Sequence, residues 1–186
     1  MNFTQSDIPL EFTTERLLVR RQNMDDMKEL FVAARDSQPE LVPFLPWCHE
    51  NYGIGDSQAW IESVKPAWEN STGWAFGIRD AKSGEYLGGC GVSKIDEHPV
   101  ANLGYWVKTA ATGKGYASEA TVGLARYAFR YLHFIRVEIL MSTENGPSKT
   151  VAEKSGAVFE GTLRNRLLLH GESHDAFLFS LTPDDL

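Results

Sequence analysis

Residues 103–120, Leu-Gly-Tyr-Trp-Val-Lys-Thr-Ala-Ala-Thr-Gly-Lys-Gly-Tyr-Ala-Ser-Glu-Ala, constrain the fold more than any other stretch of this chain. They read as a strand over 103–107, a loop over 112–115 with glycines at 113 and 115, and then a long amphipathic helix. A helix start leaves N–H groups without partners in its first turn and carries partial positive charge. A glycine-bearing loop feeding such an end is a natural anion site, above all for phosphate. A Walker loop is excluded, because the positions that would hold its first glycine and its Ser/Thr are Lys108 and Gly115. A dinucleotide fingerprint is weak, because its third glycine would fall on Ser118 and at least three strands precede the loop.

Around this segment the pattern predicts alternating strands and helices. A strand is expected over 16–21. A helix should follow with Met27, Leu30, Phe31 and Ala34 as its stripe, then an irregular stretch over 39–55. A second helix, capped by Asp56 or Ser57, should run through Trp68 with Trp60, Ile61 and Val64 facing inward. Strands are predicted over 74–79, 86–95 and 101–107, the first two joined by the Lys82-Ser83-Gly84 turn. The helix after the loop carries Ala117, Ala120, Leu124, Tyr127, Ala128 and Tyr131 on one side. A strand over 136–141 leads to a helix begun near Pro147 and ended by Gly156, and strands over 158–169 and 177–181 close the chain. Residues 1–186 are thus expected to form one three-layer α/β (α+β) domain with its core over about 12–182.

At 186 residues with 42% hydrophobic and 23% charged residues, a core can form without metals or disulfides. Cys48 and Cys90 are too few and too far apart for a disulfide framework or a zinc site. Residues 1–7 have no basic or apolar character of a secretory leader, and no apolar run reaches the ~20 residues of a membrane span. These features predict a cytoplasmic protein with no membrane partner. The formal charge of −7 argues against direct nucleic-acid binding and is compatible with a cationic amine acceptor.

Gly104-Tyr-Trp-Val107, Thr-Gly-Lys-Gly-Tyr-Ala-Ser-Glu-Ala at 112–120, Arg136-Val-Glu138, Glu144-Asn145, Ser148, Val-Ala-Glu-Lys at 151–154 and Gly156 together resemble the GNAT acetyltransferases. Thr-Glu-Arg-Leu-Leu-Val-Arg at 14–20 and Leu-Pro-Trp at 45–47 resemble their RimJ/RimL-type branch, which acetylates protein N-termini. The resemblance implies a central mixed, mostly antiparallel, splayed sheet flanked by helices on both faces. It implies acetyl-CoA (coenzyme A) as cofactor, its diphosphate held by backbone amides of Gly113, Lys114, Gly115, Tyr116 and Ala117 with the Ser118 hydroxyl nearby. Position 112, Gln or Arg in the family, is Thr112 here, which loses a side-chain contact. Val107 is implied as donor to the thioester carbonyl, Asn145 as contact to the pantetheine arm, and Ser148 as proton donor to the leaving thiolate. Trp47, Asn102 and Tyr105 are expected at the acceptor site, and no metal is needed. Direct transfer requires no cysteine.

The expected acceptor is a protein N-terminal α-amine, of ribosomal-protein type, with the protein a monomer or homodimer. A small-molecule amine (polyamine, amino acid or aminoglycoside) and a non-catalytic acyl-CoA sensor are the alternatives. The positions where acidic bases are proposed in the branch hold Leu167 and Asn102. An α-amine with pKa ~7.7–8.0 is roughly 10–20% neutral at pH 7, whereas a lysine near 10.4 is under ~0.1% neutral. A chain lacking a strong base is therefore better matched to the α-amine. His98, His174, Glu119 and Asp175 remain as base candidates, with Glu119 more simply read as complementing the helix dipole.

Overall fold

The structure, a computed structural model, describes residues 8–186. The reading of residues 1–7 as free of a leader lies outside the described residues. Among the described residues eight strands form one sheet: β1 Glu11–Thr13, β2 Leu17–Arg21, β3 Gly73–Asp80, β4 Tyr86–Lys94, β5 Val100–Val107, β6 Arg136–Ser142, β7 Val158–Leu169 and β8 Glu172–Leu181. Their order is β1-β2-β3-β4-β5-β6-β8-β7. Every pairing is antiparallel except β5 with β6. The mixed, mostly antiparallel sheet expected from the resemblance is present.

The β5–β6 pairing stops early. Only Val100, Ala101 and Asn102 find partners, in Arg136, Val137 and Glu138. Beyond Asn102, β5 stays paired to β4 as far as Val107 with Gly88, while β6 stays paired to β8 through Ser142 with Ala176. The two central strands therefore part, opening a gap flanked by backbone.

Helices α1 Met27–Arg35 and α3 Ile54–Glu69 pack together against β3 and β4, and α4 Tyr116–Tyr131 lies against β5 and β4 with α5 Gly146–Lys154 beside it. The apolar stripe of α4 works as the periodicity predicts. Ala120, Leu124, Ala125 and Ala128 are fully buried against Leu103, Ala101 and Phe76. On the other face of β5, Trp106 packs with Leu30, Ala33, Ile61 and Tyr86 of the α1–α3 layer. Among the described residues no helix is long and apolar enough to cross a membrane.

Several local expectations change. The stretch over 39–55 contains a short helix, α2 Gln38–Leu41, with Pro39 in its first turn, where a missing N–H costs nothing. α3 begins earlier than expected, at Ile54, capped by Gly53, whose N–H donates to the Asp56 carboxylate at 2.7 Å. Asp56 thus closes the cap from inside the helix, and Ser57 is buried, bonded to the Tyr52 hydroxyl at 2.8 Å. Trp60 does not face inward. It is 46% exposed, with its indole N–H donated to the Gln22 side-chain carbonyl at 2.8 Å.

Candidate active site

Lys108 donates its N–H to Leu87 O of β4 at 2.8 Å. Donors alternate along a regular strand, so the N–H groups of Val107 and Tyr105 point the other way, into the gap that β6 has left. Val107 therefore presents a backbone donor to that gap.

The chain then makes a tight turn over Thr109–Ala111 before the glycine loop. Gly113 and Gly115 have φ of +75° and +81°, left-handed values that cost a side-chain-bearing residue about 1 kcal/mol or more. The first bond into α4 is donated by Glu119 to Gly115 O at 3.1 Å. Among the described residues, the N–H groups from Gly113 to Ser118 find no protein acceptor. Six successive unpaired donors at the head of a 16-residue helix form a cradle with the polarity an anionic diphosphate requires. A Cβ at Gly113 would meet nothing within 4 Å, so the cradle is open on that side.

Two side chains of the loop are turned away. The Thr112 hydroxyl and amide both donate to Thr109 O, at 2.8 and 3.1 Å. The Lys114 ammonium folds back onto Ala110 O at 3.1 Å. Thr112 thus supplies loop shape, and the donors come from the backbone after it. The Ser118 hydroxyl faces α5, 3.5 Å from Val151 O, tying the two helices together.

Asn145 caps α5 by accepting the Ser148 N–H at 3.0 Å, so the cap role lies with Asn145 and frees the Ser148 hydroxyl. That hydroxyl is 3.0 Å from the Tyr105 hydroxyl, which also donates to Ser148 O at 3.0 Å. Burial pushes the Tyr105 phenol up to about 12, partly offset by the Ser148 bond, so it stays protonated at neutral pH. Sequence reasoning placed both residues separately and missed this contact, which bridges strand and helix.

Beside Tyr105 a cavity of about 490 Å³ opens over the α1–α3 face of the sheet. Its floor is nearly free of side chains: Ala75, Gly91 and Gly104 lie across three adjacent strands, and a Cβ at Gly104 would meet only open space. Its walls are aromatic. Trp47, 37% exposed, has its ring centroid 5.5 Å from Trp106 and 5.8 Å from Tyr52. Asn102 lines the far end, paired across the strands with Ser93 and Glu138. Among the described residues, no Asp, Glu, Lys, Arg or His lines this cavity.

None of the base candidates lines this cavity. Glu119 accepts bonds from Thr14 and Arg16, at 2.5 and 2.8 Å, and pairs with the Arg16 guanidinium at 2.6 Å. Burial works to raise its carboxyl, but those bonds outweigh it and hold the group below its ordinary value. Asp175 accepts the Asn165 N–H at 2.9 Å, pinning an irregularity in β7 where Asn165 has φ of +51°. His98 sits in the exposed turn before β5. His174, opposite Leu167, has Nδ1 3.6 Å from Glu144. Cys48 and Cys90 are buried, and burial raises both thiols, which leaves them poor nucleophiles.

Comparison with known proteins points the same way. Residues 16–158 match the acetyltransferase (GNAT) domain family. The uncharacterised N-acetyltransferase p20 of Bacillus licheniformis is 29% identical over 172 residues, covering 90% of this chain and 93% of that one. The ribosomal protein uS5-alanine N-acetyltransferase of Escherichia coli is 26% identical over 185 residues, covering 97% and 95%. Mycobacterium smegmatis RimJ, solved in complex with CoA-disulfide, shares the fold with a TM-score of 0.82 at 22% identity, over 91% of this chain and 83% of that one. The family match runs from the β1–β2 turn to the first residue of β7 and so takes in the cradle, both parted strands and Ser148; on it, the chain belongs to the GNAT acetyltransferases.

Proposed function

We propose that the protein is an acetyl-CoA-dependent N-acetyltransferase acting on protein N-terminal α-amines, in the cytoplasm and on substrates of ribosomal-protein type. The observation that carries the cofactor reading is the run of unpaired amides from Gly113 to Ser118, beside the gap between β5 and β6. The left-handed glycines suit a backbone that must approach a diphosphate closely. Acetyl-CoA supplies the acetyl group as an activated thioester.

The chain's own groups fit direct transfer. The Val107 N–H is available to the carbonyl oxygen as negative charge grows there. The Ser148 hydroxyl is available to give the departing sulfur a proton; the Tyr105 hydroxyl, turning its single proton from Ser148 O to Ser148 Oγ, can replace it across their 3.0 Å bond and regain its own from water. As the C–S bond breaks and the C–N bond forms, the amine's surplus proton goes to water, because the cavity wall offers no carboxylate or imidazole. This favours an amine already partly neutral at pH 7, which an α-amine is and a lysine is not. Polyamines and aminoglycosides carry several ammonium groups, and an uncharged cavity gives them no partner. The RimJ/RimL-type resemblance and the E. coli uS5-alanine relative support the same acceptor.

The test is an acetylation panel read by mass spectrometry. It compares peptides with a free N-terminus, N-blocked peptides carrying lysine, spermidine and an aminoglycoside. The proposal expects the label on α-amines alone. Labelling of lysine or polyamine with unmodified N-termini would overturn it.

A further inference from the structure

Arg16, in the turn between β1 and β2, reaches the head of α4 across 103 residues of sequence. Its backbone N–H and its Nε both bind the Glu119 carboxylate, at 2.8 and 2.6 Å. Its Nη1 donates to Lys114 O at 3.0 Å, and its guanidinium lies over the Tyr116 ring, 4.8 Å from the centroid. Thr14 completes the knot, donating its hydroxyl to Glu119 at 2.5 Å and accepting the Leu17 N–H at 3.1 Å. One side chain thus touches three of the residues that shape the loop and its helix.

We propose that Arg16 is the positioning residue of the amide cradle, orienting the loop for the cofactor diphosphate before the cofactor arrives. This rests on the acetyl-CoA reading above. The mechanism lies in the planarity of the peptide unit. Across a trans peptide, C=O and N–H point in opposite directions. Holding Lys114 O toward Arg16 therefore aims the Gly115 N–H away from it, on the cradle side. Gly113 and Gly115 each have several backbone states of similar energy, so an untethered loop would have to be ordered by the ligand. The tether removes that cost from binding.

A second role for Arg16, as a bare positive charge near the diphosphate, makes opposite predictions for one variant. Glu119→Gln removes a negative charge from the cradle's neighbourhood. Electrostatics alone would then tighten coenzyme A binding, whereas loss of the clamp would weaken it. Arg16→Lys keeps the charge but cannot fork between Glu119 and Lys114 O.

The experiment is calorimetric titration of coenzyme A into wild type, Arg16→Gln, Arg16→Lys and Glu119→Gln, with hydrogen exchange in the ligand-free proteins of the two bonded amides that bracket the loop, Thr112 to Thr109 O and Glu119 to Gly115 O. All three variants should bind about ten-fold more weakly, equivalent to about 1.4 kcal/mol. Exchange should rise at Thr112 and Glu119 while the sheet amides of β4 and β5 keep their protection. Tighter binding by Glu119→Gln, full affinity in Arg16→Lys, or unchanged exchange at Thr112 and Glu119 would each overturn the clamp. A general loss of protection would reduce Arg16 to a residue needed for folding and overturn it as well. A wild type that does not bind coenzyme A, with loop exchange still raised in the variants, would instead refute the cofactor reading and leave a clamp without that ligand.

Discussion

The hydroxyls of Tyr105 and Ser148 lie 3.0 Å apart, one on the free end of β5 and the other in the first turn of α5. Their bond spans 43 residues and joins the two elements that flank the opening between the central strands. Because Tyr105 also donates to Ser148 O, it fixes the backbone that carries the serine as well as the serine hydroxyl.

Tyr105→Phe should therefore act on turnover more than on cofactor binding. We expect kcat to fall about 10-fold, with Ser148→Ala falling at least as far. The acetyl-CoA Kd should stay within about two-fold in both. Steady-state kinetics with a free-N-terminus peptide, together with calorimetry, separates the two effects. The double variant should cost little more than Ser148→Ala alone, since the residues act as a unit.

Gly113→Ala tests the cradle without crowding it. A Cβ there meets nothing within 4 Å, so the penalty comes from the left-handed backbone at φ +75°. We expect a loss of about 1 kcal/mol in stability and at least ~10-fold weaker acetyl-CoA binding. Thermal melting and calorimetry measure each.

The helix and loop over 103–131 were legible because their determinants are local: glycines where φ must be positive, and an apolar stripe at helical spacing. The helix end at Gly156, φ +80°, is local too. What escaped depends on tertiary contacts. β1, only three residues long, exists because β2 offers it an edge. Trp60 has the spacing of an inward residue, yet the bond to Gln22 from the end of β2 holds it at the surface. The Arg16–Glu119 and Tyr105–Ser148 contacts join positions far apart in the chain, and no spacing rule finds them.

Asp26 holds the α1 layer to the sheet. Nearly buried, it accepts from Arg20 at 2.5 Å, Arg79 at 2.6 Å and the Asn23 N–H at 2.9 Å, while Arg79 also pairs with Glu29. Removing the carboxylate strands the partly buried Arg20 guanidinium and leaves that of Arg79 with Glu29 and Gly84 O alone. Asp26→Ala should destabilise the fold by about 3 kcal/mol in urea unfolding.

Glu160 gives the sheet a pH dependence. Both of its oxygens bind Arg136, at 2.5 and 2.6 Å, and Ser180 donates at 2.5 Å, joining β6, β7 and β8. The Arg136 bond, then that of Ser180, lowers its carboxyl to about 2, against ~4.3 in an unfolded chain. Its stabilisation is complete above pH ~4.3 and is lost as the pH falls through about 2. The site is exposed, so solvent screening limits the effect to about 1 kcal/mol. Wild type should lose stability between these pH values more steeply than Glu160→Gln, as read by melting temperature.

Titration of the pure protein with acetyl-CoA by calorimetry, with no acceptor present, tests the account most directly. Micromolar or tighter binding is predicted for the wild type, weakened at least ~10-fold in Gly115→Ala. No binding at millimolar acetyl-CoA would contradict the account, because the unpaired amides from Gly113 to Ser118 would then have no role in holding a diphosphate.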